Sequence, residues 1–441
     1  MSRIPHIFIL GVLYIFIIPA TAHSQEQIRA TEDTTTIARD QFIVDVLERD
    51  PRVLAALKSY EATRERANQA KALEDPQLTV GAFISPIETR VGPQQARIGI
   101  RQMFPWFGTL SVRQQQALTQ VRRAWYNYLE VRAEVVLETY QNFARMYELE
   151  EEVYLLQEQQ KVMQSLERIA MVRYEGGEGS LADVLRVQLQ LAELETGIDK
   201  KKADRLLALL IFNARLPDRY TFRPGENLPD TLTLIPTDSL FDMDKDVQGQ
   251  FRLLGAQEEI EAARKGQEAA RLAGRPMLGA GVDYVITGKR DDMNVPDNGR
   301  DAIMPMVTVS LPIFRKKYKS LNREAALMAE VAEARYEGLF DKVNREAIEL
   351  TMTLFGTGKD IELLQKQIYL AEKTQKLLIG SYSSGDESLQ NVLDVQQQII
   401  DYRMKLLQAV TRQYINSKKV NYLTGTEGTA LKTKQNEEST E

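Results

Sequence analysis

Cysteine is absent from the 441-residue chain, and histidine occurs only as His6 and His23, near the N-terminus. The first absence excludes disulfides, zinc–thiolate sites, thiol nucleophiles and a lipid anchor on an N-terminal cysteine. The second removes the commonest general base and metal ligand from the body of the chain. No nucleophile and base pair is evident. The sequence therefore predicts a protein that is not an enzyme and that uses no metal or other cofactor.

Long basic runs and long apolar runs are also missing. The 62 acidic and 56 basic residues give a net charge of −6, which argues against a nucleic-acid partner. With 43% hydrophobic residues the chain is expected to fold, and its length favours two units over one compact core. No segment after residue 22 approaches 18 uninterrupted apolar residues, so any membrane-spanning part is expected to be made of β-strands.

The N-terminus has the pattern of a secretory signal peptide. Arg3 precedes an apolar run from Ile7 to Ile18, which is followed by Ala20-Thr21-Ala22. A positive start, a short apolar core and small residues at the end are the features of a cleaved export signal. We expect residues 1–22 to be removed and the mature chain to begin near His23.

The rest of the chain contains an internal duplication. Residues 174–188 read YEGGEGSLADVLRVQ and residues 382–396 read YSSGDESLQNVLDVQ, with 8 of 15 positions identical at an offset of 208. Pro105 and Pro312 lie in matching positions at an offset of 207, and Pro76 and Pro276 at an offset of 200. The sequence predicts a first repeat at 23–213, a proline-rich linker at 214–243, a second repeat at 244–425 and a disordered polar tail at 426–441.

Each repeat contains two segments in which apolar residues alternate with polar or small ones. They lie at 78–84 and 96–100 in the first repeat and at 278–284 and 307–311 in the second. A period of two predicts strands, of about the length needed to cross a bilayer. The joins at 85–94 and 286–302 are polar and are predicted as loops facing water.

A long helix is predicted after each strand pair. Residues 113–174 contain no proline or glycine and have an apolar period of 3.5 on one flank, with a second apolar stripe beside it. The counterpart at 316–382 contains Gly356 and Gly358, where we expect a packing contact or a bend. Four strands cannot close a barrel, because known membrane barrels have at least eight, so three chains are expected to share one barrel of twelve strands.

In this combination of features the chain resembles the TolC family of outer-membrane efflux proteins. The features are the signal peptide, the duplicated helix–strand–strand–long helix–turn–helix order, the Pro-aromatic joins at Pro105 and Pro312, and the two turns followed by S-L-x-[DN]-V-L. The resemblance implies an α+β membrane protein of the Gram-negative outer membrane. It would be a homotrimer with a 12-stranded β-barrel, four strands per chain, continued by an α-helical coiled-coil tunnel in the periplasm. The implied function is the exit duct of a tripartite efflux pump, with a periplasmic adaptor, an inner-membrane pump and outer-membrane lipid as partners.

The two turns are the candidate adaptor-docking tips. Gly177 and Gly385 supply the left-handed conformation that ends a helix, and Ser180 and Ser388 are suited to cap the next one. Tyr174 opens the first of these turns.

The resemblance also implies a gate at the periplasmic aperture. Asp183 and Tyr382 match family positions that hold the tips shut, and we predict a hydrogen bond from Tyr382 to Asp183. Asp394 matches one of two aspartates that face the lumen in the family. Glu387 stands where the family has an arginine and Asn391 where it has a second aspartate, so Arg186 is the candidate replacement cation.

Other interpretations stay open at this point. Tyr174 and Tyr382 could be ordinary helix-end contacts, and Asp183 and Asp394 could be solvated surface acids. The alternative function is a periplasmic structural or adhesive coiled-coil protein that conducts nothing. If the chain is a duct, its cargo could be metal ions, drugs, dyes or peptides.

Overall fold

The computed structural model describes residues 39–214 and 247–425. The predicted signal peptide, residues 215–243 of the linker and the predicted tail lie outside the described residues. The first repeat comprises α1 Arg39–Arg49, α2 Pro51–Gln69, β1 Gln77–Thr89, β2 Gly92–Phe104, α3 Thr109–Glu175 and α4 Leu181–Asn213. The second comprises a short 3₁₀ turn at Val247–Gly249, then α5 Phe251–Ala273, β3 Met277–Thr287, β4 Ala302–Ser310, α6 Arg315–Ser384 and α7 Leu389–Thr424.

The two long helices are α3, of 67 residues, and α6, of 70. At about 1.5 Å per residue each is a rod roughly 100 Å long. The helix α6 runs without interruption through Gly356 and Gly358. A Cβ atom added at Gly356 would meet nothing within 4 Å, so no close packing contact is formed at Gly356 itself among the described residues.

The four strands form one antiparallel sheet in the order β1-β2-β3-β4, so the two repeats meet at the β2–β3 pair. The predicted loop at 85–94 is wrong. Strand β1 continues to Thr89, and a two-residue turn at Arg90-Val91 leads into β2, with an irregularity between Ala82 and Ile87 that breaks the alternation. The β3–β4 connection, from 288 to 301, is a loop as predicted.

One face of the sheet is apolar and exposed. Register aligns a row across all four strands, in which Val80 pairs with Ile98, Ile98 with Tyr284 and Tyr284 with Ile303. All four side chains are exposed. A row of large apolar side chains open to the surroundings on every strand is typical of a face that contacts lipid or another apolar surface.

The opposite face of the sheet is polar and crowded by glycines. Asp283 is buried and forms an ion pair with Arg97. A Cβ atom at Gly99, the partner of Asp283 in the register, would overlap the Asp283 carboxylate. Glycine at this position therefore makes room for the buried acid.

Among the described helices, none has an apolar segment long and hydrophobic enough to cross a membrane.

A buried polar network joins the two repeats beside the N-terminal half of α3. Glu130 accepts hydrogen bonds from Tyr422 and Gln250, and its carboxylate lies 3.4 Å from the Arg252 guanidinium. Burial raises the pKa of Glu130, and its hydrogen bonds and the arginine oppose that rise. The network ties the start of α5 and the end of α7 to the first long helix.

Candidate functional site at the helical tips

Both rods end in glycine turns that reverse the chain. Gly177 has φ of +75° and Gly385 has φ of +90°, in the region that favours glycine. The Ser180 side chain accepts a hydrogen bond from the Ala182 amide, and the Ser388 hydroxyl accepts one from the Asn391 amide. The turns thus have the local geometry needed for two helical hairpins, and the adaptor-docking role stays a prediction.

Tyr174 and Tyr382, which occupy equivalent positions of the repeat, have opposite environments. Tyr174 is 42% exposed, whereas Tyr382 is 2% exposed. Tyr382 lies in a cluster contributed by α3, α4, α6 and α7, with Met163, Leu166, Val187, Leu389, Val392 and Leu393. The second tyrosine therefore fills the space between the two hairpins.

Arg173, the last basic residue of α3, connects the two tips directly. Its Nη1 atom donates a hydrogen bond of 2.5 Å to the backbone carbonyl of Tyr382, and its Nη2 atom donates one of 3.1 Å to the carbonyl of Glu178. Its guanidinium also lies over the Tyr382 ring, 4.6 Å from the centroid. One cation thus binds the turn of the first hairpin to the end of the second.

The predicted hydrogen bond from Tyr382 to Asp183 is not formed in the described chain. Asp183 is instead 3.6 Å from Arg186, one turn along α4. The Tyr382 hydroxyl is buried and has no hydrogen-bond partner among the described residues. Burial and the nearby negative charge of Asp183 raise the pKa of Tyr382, and Arg173 opposes that rise. Asp183 therefore acts on the tyrosine through its charge.

The remaining gate candidates lie on the first turns of α7. Asp394 is exposed and accepts a hydrogen bond of 2.7 Å from Gln390. Glu387 accepts hydrogen bonds from the Ser388 amide and the Asn391 side chain, and these lower the pKa of Glu387. The two positions that depart from the family pattern, Glu387 and Asn391, thus form a local cap with each other.

Sequence reasoning missed Arg173. The signal was present in the repeat itself, because the first turn is preceded by Arg173 and the second by Ser381 at the offset of 208. At this position the charged residue that only the first turn has makes the contact between the two hairpins. Within the described part of the chain, no group of three or more acidic, histidine or cysteine side chains is arranged to hold a metal ion.

Residues 42–209 match the family model described as outer membrane efflux protein. This match covers most of the first repeat, from α1 to near the end of α4. No curated protein sequence matches the chain significantly.

Solved structures with the same fold include VceC from Vibrio cholerae, an outer membrane protein (16% identity, 88% of this chain, 96% of that chain, TM-score 0.70). The channel-forming protein CusC is similar at a TM-score of 0.71 (14% identity, 89% of this chain, 93% of that chain). The outer membrane channel CmeC from Campylobacter jejuni has a TM-score of 0.67 (13% identity, 96% of this chain, 94% of that chain). The chain therefore carries an outer membrane efflux protein domain in its first repeat, and its described part as a whole has the fold of TolC-family outer-membrane channels.

Proposed function

We propose that three copies of this chain form the outer-membrane exit duct of a tripartite efflux pump in a Gram-negative bacterium. The sheet would be one third of a barrel in the outer membrane, and the helices would form a tunnel through the periplasm. A periplasmic adaptor and an inner-membrane transporter would deliver small molecules or metal ions to it. The exposed apolar face of the four-stranded sheet is the observation that carries this proposal.

The unpaired edge strands of the sheet support a barrel that is closed by several copies of the chain. Strands β1 and β4 are the outer strands, and neither has a second partner among the described residues. Unpaired backbone groups in lipid cost several kcal/mol each, as a rough scale, so an open four-stranded sheet is not a stable membrane structure. Joining β4 of one copy to β1 of the next would give twelve strands and leave no edge.

Exposed leucines on the helices support the same head-to-tail arrangement. On α6, Leu363, Leu370 and Leu377 repeat every seven residues and are all exposed. On α4, Leu181, Leu185 and Leu189 are exposed along one stripe. A seven-residue apolar repeat is the pattern of a coiled-coil seam, and α4 and α6 lie at opposite sides of the α4-α3-α7-α6 layer. We propose that each seam is covered by the neighbouring copy.

The six tips of such a trimer would form the periplasmic aperture, and the tip turns would dock the adaptor. We propose that Asp183, Arg186, Tyr382 and Asp394 line or support the gate, and that Arg173 is the cation that holds the two hairpins of one chain together. Threefold symmetry would place each of the two aspartates in a ring of three like charges.

Two measurements test this function. In mild detergent the full chain is expected to have the mass of about three copies and to fractionate with the outer membrane as a heat-modifiable species. A soluble periplasmic monomer would contradict the duct and support the structural coiled-coil alternative. Deleting the gene and screening metals, dyes and drugs for hypersensitivity would identify the cargo class.

A matched pair of variants tests the lipid face. Val80→Arg places a charge on the apolar face, at a cost of roughly 2 to 4 kcal/mol near the bilayer midplane. Thr79→Arg places the same charge on the polar face of the same strand. We expect only the first to reduce trimer yield in the outer membrane, and equal losses would contradict this assignment of faces. Arg97→Ala is not a neutral control, because it would leave the buried Asp283 without its partner.

A further inference from the structure

The sheet-to-helix join of the second repeat carries an excess of positive charge that the first repeat lacks. Residues 271–275 and 315–323 contain seven basic and no acidic residues, whereas the equivalent residues 71–75 and 108–116 have two of each. Duplication therefore does not account for the charge, because only one copy of the join has it.

The cations form an exposed group on two adjacent segments, which we call the basic collar. Among the described residues, none of its members forms an ion pair with an acidic side chain. The members are all exposed: Arg271, Arg275, Arg315, Lys316, Lys319 and Arg323. The end of α5 and the start of α6 are adjacent, since a Cβ atom at Gly274 would lie 3.6 Å from the Tyr318 side chain. Arg315, Lys319 and Arg323 are four residues apart and follow one side of α6.

The position of these cations is unfavourable within the chain itself. The N-terminus of a helix carries partial positive charge, so basic residues in its first turns destabilise it. Arg315, Lys316 and Lys319 lie in the first five residues of α6. An external anion would offset both this effect and the mutual repulsion of the cations.

An exposed apolar band borders the collar. Leu311, Ile313 and Phe314 are each about 70% exposed and lie between the end of β4 and the start of α6. From there to Arg323 is at most about 14 Å along a helix. Apolar side chains with cations directly beside them fit the boundary between the hydrocarbon core and the headgroups of a bilayer.

We propose that the basic collar binds the headgroups of anionic phospholipids in the periplasmic leaflet of the outer membrane. The collar side chains, which belong to the second repeat, would hold each copy at a fixed depth in the outer membrane. This inference rests on the proposed location of the sheet in the outer membrane. The ligand we propose is the phosphate of a lipid and not free phosphate, because the adjoining apolar band would contact the acyl chains of the lipid.

The test uses the purified full-length protein in a mild nonionic detergent and measures its thermal unfolding against added lipid. Phosphatidylglycerol is expected to raise the unfolding midpoint more than phosphatidylcholine does, and 0.5 M salt is expected to remove the difference. Each collar cation that is removed should weaken phosphatidylglycerol binding about fivefold. The test variant is R315Q/K316Q/K319Q/R323Q.

The matched control removes four exposed cations from elsewhere on the rods: K342Q/K366Q/K376Q/K405Q. It is expected to keep the phosphatidylglycerol response of the unmodified protein. Trimer mobility and the response to phosphatidylcholine show whether each variant is folded.

Equal responses to the two lipids, or a collar variant that responds to phosphatidylglycerol like the control, would overturn the inference. A collar variant that changes only the ratio of anion to cation permeability in planar bilayers would also overturn it, by placing the cations in the duct. Failure of the proposed function would be seen separately, as absence of the chain from the outer membrane.

Discussion

The two tips of the chain are built from nearly the same sequence and lie in different surroundings. Both have a tyrosine, a glycine with positive φ and a serine cap, and the local backbone of the turns follows from those residues. Yet Tyr174 is exposed and Tyr382 is buried between four helices. The local motif determines the turn, and the packing of one repeat against the other determines what the turn does.

The same contrast holds at the other end of the rods. The two joins between sheet and helix share a proline and an exposed aromatic residue, but only the second carries the basic collar. The repeats thus have a common architecture and differ in charge and burial at matching positions of their turns and joins. Variants at equivalent positions of the two repeats are therefore the most informative experiments.

The largest difference is expected between Tyr382→Ala and Tyr174→Ala. Removing a buried aromatic ring costs about 3 to 5 kcal/mol, whereas truncating an exposed one changes stability by about 0.5 kcal/mol or less. Hydrogen exchange of the backbone amides near the α6–α7 turn measures the local effect. Similar losses of protection in both variants would mean that a neighbouring copy buries Tyr174. The difference in burial between the two tyrosines would then hold only for the isolated chain.

Arg173→Gln is expected to have the next largest effect. It removes two charged hydrogen bonds to carbonyl oxygens and a cation lying over an aromatic ring, and one charged hydrogen bond contributes about 1.5 to 3 kcal/mol. The control is Arg186→Gln, which loses an exposed pair with Asp183 that contributes about 0.5 kcal/mol or less.

Single-channel conductance in planar bilayers measures whether either arginine change opens the aperture. We expect a higher conductance for Arg173→Gln and little change for Arg186→Gln. The reverse order would restore Arg186 as the gate cation and leave Arg173 as a structural contact.

Much of the fold could be predicted because its signals are local. Alternation over a few residues predicted the strands, and the absence of proline and glycine over 62 residues predicted the first rod. The prediction of a loop at 85–94 failed because the irregularity between Ala82 and Ile87 interrupts the alternation while the strand continues.

The candidate site was harder to predict because its contacts are not local. Arg173 and Tyr382 are 209 residues apart, and whether they meet depends on how the two hairpins pack. The hydrogen bond predicted between Tyr382 and Asp183 failed for the same reason. Sequence spacing places both residues near one level of the bundle, but the rotation of each helix decides which atoms face each other.

A smaller difference is expected between two tip glycines, Gly385 at the end of α6 and Gly176 at the end of α3. Gly385→Ala forces a side chain into the left-handed region, at a cost of about 1 to 2 kcal/mol. A Cβ atom there would lie 3.5 Å from Arg173, an ordinary contact, so the cost is conformational. Gly176→Ala is the control, because Gly176 has φ of −75° and already adopts a helical conformation. Limited proteolysis at increasing temperature measures the thermal unfolding of each tip and should distinguish the two variants. Equal sensitivity of the two variants to proteolysis would show that space limits both sites.

The smallest effect is expected for Tyr382→Phe. The hydroxyl is buried and has no hydrogen-bond partner in the described chain, so its removal leaves no polar group unsatisfied and should change stability by about 1 kcal/mol or less. Conductance at neutral pH should match that of the unmodified protein. A clear increase would mean that a neighbouring copy in the proposed trimer gives the hydroxyl a partner, with Asp183 as the candidate.

High pH sharpens this last test. Burial and the charge of Asp183 raise the pKa of Tyr382 above its ordinary value of 10. The folded tip therefore favours the neutral phenol, and the stability that this contributes is present below pH 10 and is lost as pH rises through the raised pKa. Tyr382→Phe should match the unmodified protein from pH 7 to 9 and exceed it in stability above about pH 10. If Tyr382→Phe and the unmodified protein instead lose stability in parallel above pH 10, the raised pKa of the buried phenol would be contradicted.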